Sequence, residues 1–538
     1  MLRIRHYCQL LLIAGAFLRL CHPATAQTAS GQTVTGPRGE VFARRIVARQ
    51  LSDPWEVAYG PDGYLWLTEA KGYRVSRLNP ATGVKTVLLD LSRERQFPRY
   101  DKVPDRVDGG KPWPQGGLMG MALHPQLLQG QPYVYLAYLY RFAGASQPGK
   151  GGAPNYGGYF FTTRLVRYEY QAQAQTLTNP VVLCDTIPGS SDHNGGRLLI
   201  APVGGKDYLF YSIGDLGAGQ FDNGGRPNHA QQPSHYEGKT LRFNLTPDAD
   251  ANPGDQWLPN DNPFATAARQ SAVWTYGNRN PQGLAYAVVA GTGRLYESEH
   301  GPFSDDEINV LEPGKNYGHP LIIGYNDNNY NGLAAGVSNR ATLPGPWHTT
   351  YPLIGSENAN AAAIGTATYR DPIKTLYPNS NAFLKDLFAT SSTQDNGPEW
   401  ASEAPSSLAV YTAAAIPGWQ NSLLLPTLKH GKLIRLQLAA SGTRVAGDTM
   451  TYFKGPVRYR DLALSPDGRR IYLATDSASV SSGPSKEDPK GMSCKGCIIE
   501  FTYQRGGQPA PTPAGAPVPA EARQPKATAP ANRAKGKK

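Results

Sequence analysis

Cysteine is scarce, with 5 residues in a chain of 538. That count over that length excludes a small disulfide scaffold. Cys8 and Cys21 fall in the first 26 residues, which leaves Cys184, Cys494 and Cys497. Cys494-x-x-Cys497 is followed by Ile498 rather than His, which excludes c-type haem attachment. No second pair exists to complete a zinc site. A local disulfide in an oxidising compartment is the simpler reading. Cys184, in an apolar run, reads as a buried thiol. Charge is sparse too: 18% of residues are charged against 40% hydrophobic, which does not fit a disordered chain. Long apolar runs are missing. The best, Leu10 to Leu18, is too short for a comfortable membrane span. No long stretch carries clean helical periodicity.

The net charge of +11 is concentrated at the ends. Arg3, Arg5 and Arg19 supply three charges and the stretch from Arg505 onward a net six, so the body keeps about two. A nearly neutral body argues against nucleic acid as partner. Arg3 and Arg5 precede the apolar run, and Ala24-Thr25-Ala26 forms a small-residue cleavage site before Gln27, so residues 1–26 read as a signal peptide. Cys21 as a lipid anchor fits less well, because Arg19-Leu20 precedes it. The expected mature chain is exported, periplasmic or secreted, with no transmembrane segment. Residues 505–538, rich in Pro and Ala and ending in Lys, read as a disordered basic tail. The folded part is expected over residues 40–504.

What the chain has in quantity is Gly (59), Pro (46) and Tyr (30). One pattern recurs: a turn of Pro, Asp and Gly followed by a short β-rich strand. Gly60-Pro61-Asp62-Gly63 leads into Tyr64 to Thr68, and Ser465-Pro466-Asp467-Gly468 into Ile471 to Ala474. Looser versions occur at His124-Pro125, Ala201-Pro202 and Ala290-Gly291. The spacing predicts an all-β, six-bladed β-propeller. A chance set of hairpins in another all-β fold is the competing reading.

Five segments go beyond plain blade structure. Asp192-His193-Asn194-Gly195-Gly196-Arg197 sets a histidine beside paired glycines. Gly214-Asp215-Leu216-Gly217 offers an acid at a strand end, able to orient a histidine. Gly277 to Gly283 contains Arg279-Asn280. Glu299 to Glu307, with Asn316-Tyr317-Gly318 and Asp327 beyond it, has the acids and turn carbonyls a hard cation prefers, without EF-hand spacing. Lys429 with Arg458 and Arg460, two residues apart on one strand face, makes a cationic surface for carboxylates. Taken singly, each also reads as a salt bridge, a cap or a blade corner. Together they fit a site for a flat polyanionic cofactor.

These blocks, with Pro114 to Gly120 and Leu425 to Lys429, resemble in order the soluble quinoprotein glucose dehydrogenases of the glucose/sorbosone (aldose sugar) dehydrogenase family. The resemblance spans most of residues 50–503 and implies a six-bladed propeller binding pyrroloquinoline quinone (PQQ) on its top face. It implies that Gly301 and Pro302 offer carbonyls to a Ca²⁺ that also binds the quinone, and that Lys429, Arg458 and Arg460 face the cofactor. Arg279 and Asn280 would lie beside the quinone, with Gln115, Asp192, His193 and Trp400 lining the substrate side. His193 would take the proton from the sugar C1 hydroxyl, oriented by Asp215, a task that suits an imidazole. Asp306, Glu307, Tyr317, Ile323 (carbonyl), Tyr325 and Asp327 match positions of structural Ca²⁺ near a dimer interface, with Glu357 as an acidic partner.

The implied activity is PQQ- and Ca²⁺-dependent oxidation of an aldose at C1 to the lactone, with electrons passed to an external acceptor; a homodimer is an allowed assembly. Competing readings are a quinoprotein acting on another sugar or alcohol, and a secreted propeller that binds glycan or protein without catalysis. The chain departs from the family pattern at His300, where glutamine is usual, and in the stretches Arg93 to Trp113, Tyr140 to Tyr159 and Pro378 to Trp400 around the pocket mouth.

Overall fold

The computed structural model describes residues 32–94, 115–145, 159–336, 349–391, 401–476 and 492–505, except 191, 221–222, 224–225, 250–254, 267 and 448. The expected signal peptide, Trp400, nearly all of the tail, and most of the Arg93–Trp113 and Tyr140–Tyr159 stretches lie outside the described residues.

The recurring turn marks the hairpin between the first and second strands of a blade. Blade 1 begins with Pro54–Tyr59 and Leu65–Glu69, joined through Asp62 and Gly63. Asp62 Oδ1 accepts from the Tyr64 amide at 3.2 Å and from the Trp66 indole at 3.1 Å, while Gly63 takes φ +77°, a conformation glycine adopts without strain. A hairpin of first and second strands also opens blade 2 (Leu118–Leu123, Tyr133–Ala145), blade 3 (Leu198–Val203, Lys206–Ile213), blade 4 (Pro281–Val289, Thr292–Glu299) and blade 6 (Tyr459–Leu464, Arg470–Thr475); in blade 3 the turn falls at Gly204-Gly205, and the expected turn residues Ala201-Pro202 lie inside the first strand. Blade 5 opens with Ala409–Tyr411 and Ser422–Pro426. Each blade is an antiparallel sheet of four strands or more, and the first strand of each touches the first strands of both neighbours, which closes a ring of six. The fold is the expected six-bladed β-propeller.

The ring is sealed by a sheet drawn from both ends of the chain. The last strand, Ile498–Gln504, pairs on one side with Arg470–Thr475 and on the other with Val41–Ala48, and Gln32–Thr35 forms the outer edge. Phe42 is fully buried there among Trp419, Tyr452, Phe453 and Tyr503, at centroid distances of 5.0–6.5 Å. The Cys494–Cys497 disulfide lies just ahead of the closing strand.

Two features differ from the sequence reading. Cys184 is half-buried rather than buried, because the outermost strand of blade 2, Thr176–Gly189, slips register on both sides of it. Blade 4 also carries an insertion between its third strand, Asp306–Leu311, and its fourth, Lys374–Leu376. That insertion holds the two-stranded pairing of Leu333–Ala334 with Leu353–Ile354 and the short helix Glu357–Ile364; a second helix, Asn381–Ser391, follows the fourth strand. The first helix is capped by Ser356, which accepts from the Ala359 amide, and ends at Gly365. Eight residues, rich in Ala and Asn, are too few to display a helical period.

Replacing Phe42 with Ala would empty this aromatic cluster at the seam. We expect Phe42→Ala to lower unfolding stability by about 3–5 kcal/mol, read as a fall in the urea midpoint; an unchanged midpoint would show that the seam does not limit stability.

Candidate active site

The loops at one end of the ring bring His193, Asp215 and Arg279 together through close backbone packing. Gly214 makes this possible: a Cβ there would lie 2.3 Å from the His193 carbonyl oxygen and 2.7 Å from that of Arg279. Gly195, at φ +60°, is similarly constrained, with a Cβ position 2.7 Å from the Ser212 carbonyl. His193 itself adopts φ +46°, an uncommon conformation for a side-chain-bearing residue. The Asp215 amide donates to the Arg279 carbonyl at 2.8 Å and joins the two loops.

His193 is buried and its Nδ1 lies 2.7 Å from Asp215 Oδ1, so Nδ1 carries the proton and Nε2 is left as the acceptor. Nε2 lies 3.0 Å from the Gln220 side-chain nitrogen, which donates to it. The Gln220 oxygen in turn accepts from Arg279 Nη2 at 3.0 Å. Gln115 accepts from the His193 amide at 3.2 Å and donates to Asp192, so the expected substrate-side residues Gln115, Asp192 and His193 form one cluster.

Asp215 is fully buried, yet its carboxyl is held far below the usual carboxylate range. Burial is the largest influence and pushes upward; the hydrogen bonds from His193 and His319 outweigh it. Oδ1 also accepts from the Gly217 amide at 2.9 Å. Oδ2 accepts from His319 Nε2 at 2.8 Å, Tyr351 OH at 2.8 Å and Asn228 Nδ2 at 3.1 Å. Burial lowers the His319 pKa, and its buried Nδ1 has no hydrogen-bond partner, so His319 is a neutral donor. The loop bearing Asn228 is held by Lys239 Nζ, which donates to the carbonyls of His229, Ala230 and Glu237.

Arg279 and Asn280 are positioned by Glu299, whose Oε2 accepts from both of their amides at 2.6 and 3.2 Å. Arg279 Nη1 donates to the His300 carbonyl at 3.2 Å, and its Nε is buried without a partner. His300 Nε2 donates to the Pro405 carbonyl at 2.9 Å. Burial, followed by the Arg279 charge, drives the His300 pKa down to about 3, so it remains neutral. A neutral N–H donor to a carbonyl is a role glutamine can also fill.

Arg458 and Arg460 share one carboxylate, Asp476, at 3.3 and 2.8 Å. Arg460 Nη1 reaches Gln282 at 3.4 Å, and Gln282 donates to Asn280 Oδ1 at 2.8 Å, so the cationic group connects to the Arg279–Asn280 loop. Lys429 is buried just after the second strand of blade 5, its amide donating to the Glu403 carbonyl at 3.2 Å. Gly301 and Pro302 form a tight turn: a Cβ on Gly301 would lie 1.8 Å from the Ser304 carbonyl oxygen and 2.6 Å from that of Asp305.

The expected structural-calcium residues lie on the third strand of blade 4 and in the insertion that follows it. The Asp306 carboxylate accepts from Ser402 Oγ and from the amides of Gly301, Glu403 and Ala404, at 2.7–3.1 Å. Glu307 accepts from the Gly324 amide and Glu357 from the Ile323 amide, each at 2.9 Å. Tyr317 OH donates to the Val310 carbonyl, burial raises the Tyr325 hydroxyl pKa, and Asp327 accepts from the Asn329 amide. Among the described residues, no three His, Cys, Asp or Glu side chains converge as a metal centre.

Sequence reasoning gave no role to Gln220, Asn228, His319, Tyr351, Gln282 and Asp476. Only two of them carried a signal: Gln282 lies in the flagged Gly277–Gly283 segment, and His319 follows the flagged Asn316-Tyr317-Gly318.

The profile of the glucose/sorbosone dehydrogenase family matches residues 51–364 and 395–481. The chain is 32% identical over 484 residues to quinoprotein glucose dehydrogenase B of Acinetobacter calcoaceticus, covering 87% of this chain and 92% of that protein. It is 26% identical over 438 residues to aldose sugar dehydrogenase YliI of Escherichia coli, covering 81% and 90%. Among solved structures, PQQ-bound aldose sugar dehydrogenase from Streptomyces coelicolor shares the fold at TM-score 0.53 and 23% identity, over 86% of this chain and 98% of that one.

Proposed function

The chain belongs to the glucose/sorbosone dehydrogenase family, and from that premise we propose that it is a PQQ- and Ca²⁺-dependent dehydrogenase that oxidises an aldose at C1 to the lactone. The observation that carries this reading is the buried His193–Asp215 pair at 2.7 Å, set beside Arg279. The printed names of the relatives, a quinoprotein glucose dehydrogenase and an aldose sugar dehydrogenase, support it.

The residues fit a polyanionic quinone. Arg458 and Arg460 have Asp476 between them, so two positive charges meet one carboxylate, and Arg279 keeps a buried Nε without a partner. Lys429, Arg458, Arg460, Arg279 and Asn280 would hold the cofactor, and the Gly301–Pro302 carbonyls would hold its Ca²⁺. Bound there, the quinone would supply the two-electron oxidation, with the electrons then leaving to an external acceptor. Further structural Ca²⁺ would be held by Asp306, Glu307, Tyr317, the Ile323 carbonyl, Tyr325 and Asp327, with Glu357 as an acidic partner.

The chain's own part is to hold the sugar and move one proton. The C1 hydroxyl would take the place of the Gln220 amide on His193 Nε2 and give up its proton there. Asp215 keeps Nδ1 protonated, fixes the ring and stabilises the imidazolium that forms; its other donors, His319 and Tyr351, keep it ionised throughout. The Arg279 guanidinium would offset the negative charge that develops as the sugar is oxidised. Gln115 and Asp192 would orient the sugar.

Export to an oxidising compartment is part of the proposal. The Cys494–Cys497 disulfide supports it, and no helix among the described residues is long and apolar enough to cross a membrane.

We expect His193→Ala to retain PQQ binding, followed by absorbance titration, while dye-linked glucose oxidation falls by about 10² or more, the scale of a lost general base. Unchanged turnover would remove His193 from that role. Chelation of Ca²⁺ should release the cofactor and lower the melting temperature, because a ligand bound to the folded state alone stabilises it. Full activity with an unchanged melting curve after chelation would exclude the metal.

A further inference from the structure

Most large cations buried in this protein have an identifiable polar partner. Arg77 pairs with Asp62, Arg197 with Glu56 and Asp461, and Arg242 with Asp261. Arg435 donates to Ser422 and Gln437, and Arg279 to Gln220. Arg226 is the exception among the described residues. It is 6% exposed, its Nη1 is buried with no hydrogen-bond partner, and its guanidinium lies over the Phe160 ring at 4.1 Å without any ion pair. A buried guanidinium without a hydrogen-bonded partner is costly to maintain.

Its location gives the cost a use. Arg226 sits in the segment between the second and third strands of blade 3, the same segment that supplies Asp215, Gln220 and Asn228. Successive turns tie it to the site: the Asn223 amide donates to the Gln220 carbonyl at 2.9 Å, and the Arg226 amide to the Asn223 carbonyl at 3.0 Å. Gln220 is the residue on His193 Nε2. Arg226 is also near enough to Asp215 and Glu237 for their charges to oppose the loss of its proton; burial lowers its pKa to about 10, which leaves it charged at neutral pH. The expected cofactor cations, Lys429, Arg458 and Arg460, come from blades 5 and 6, so Arg226 is a separate cation on the His193 side.

We propose that Arg226 recognises an anionic group, carboxylate or phosphate, on the sugar, so that the enzyme favours acidic aldoses over neutral ones. This rests on the dehydrogenase reading above. An oxyanion would supply the missing hydrogen bonds to the guanidinium, and charge-assisted pairs of this kind are the strong ones. A site built to bond a charged substrate group discriminates steeply against a substrate lacking it, because the buried donor is then left unpaired.

The test uses the full-length holoenzyme and D-glucose, D-glucuronate and D-glucose 6-phosphate in the dye-linked assay. The wild type is expected to show kcat/KM at least about tenfold higher for one anionic sugar than for glucose; which one it is separates carboxylate from phosphate. Arg226→Leu should lower kcat/KM for that sugar at least about tenfold more than for glucose, mainly through KM, and Arg226→Lys should recover part of the loss. Equal effects on charged and neutral sugars, or a wild type indifferent to charge, would overturn the proposal. So would a fall in PQQ affinity in Arg226→Leu, which would assign the arginine to the cofactor. If no sugar is oxidised, calorimetric titration of glucuronate and of glucose 6-phosphate into the same proteins decides separately. Binding present in the wild type and lost in Arg226→Leu supports the anion site although the dehydrogenase reading fails; no binding of either overturns both.

Discussion

The carboxylate of Asp215 is fully buried and takes donors from five residues: His193, Gly217, Asn228, His319 and Tyr351. A buried anion is tolerated only when its lone pairs are filled, so each of these segments is held in place by the charge it helps to stabilise. His193 lies just before blade 3, Gly217 and Asn228 leave its second strand, and His319 and Tyr351 come from the blade 4 insertion. One charge therefore fixes the ring orientation of a histidine and docks an inserted segment over the same end of the propeller. The two functions cannot be separated, because loosening the insertion exposes the carboxylate and so alters the histidine it orients.

Around this anion the site divides by charge. The His193 side contains Asp192, Asp215 and the neutral imidazole of His319. The other side, built on blade 6, contains Arg458 and Arg460 with Asp476 between them. Arg279 lies between the two sides, bonded to Gln220 on one flank and to the His300 carbonyl on the other. A proton acceptor on one side and excess positive charge on the other are what an oxidation needs when it separates a proton from an electron pair.

Much of the fold was legible because its signal is local. The Pro-Asp-Gly turns are specified by residues that bond within the turn, as Asp62 does to Tyr64 and Trp66, and they mark the opening hairpin of blades 1 and 6. The short helices were not legible, since Glu357–Ile364 is little more than two turns and its amphipathic pattern is faint. In the site, the residues set among glycines and paired charges were visible in the sequence, including His193, Asp215, Arg279 and the Arg458–Arg460 pair. Gln220, Tyr351 and Asp476 were not, because their roles depend on contacts across the ring: Tyr351 reaches Asp215 over 136 positions. Asp306 likewise binds the Ser402–Ala404 segment through donors that no local pattern reveals.

The seam of the ring has a kinetic meaning. Arg45 and Glu500 form an ion pair at 2.7 Å across 455 positions, and the strand Ile498–Gln504 sits inside its sheet with partners on both sides. Strands near the start of the chain therefore wait for the last one before their edge is covered. Closing so long a loop carries an entropic cost that no early contact offsets. A nascent chain of this design therefore stays open until its final strand has emerged.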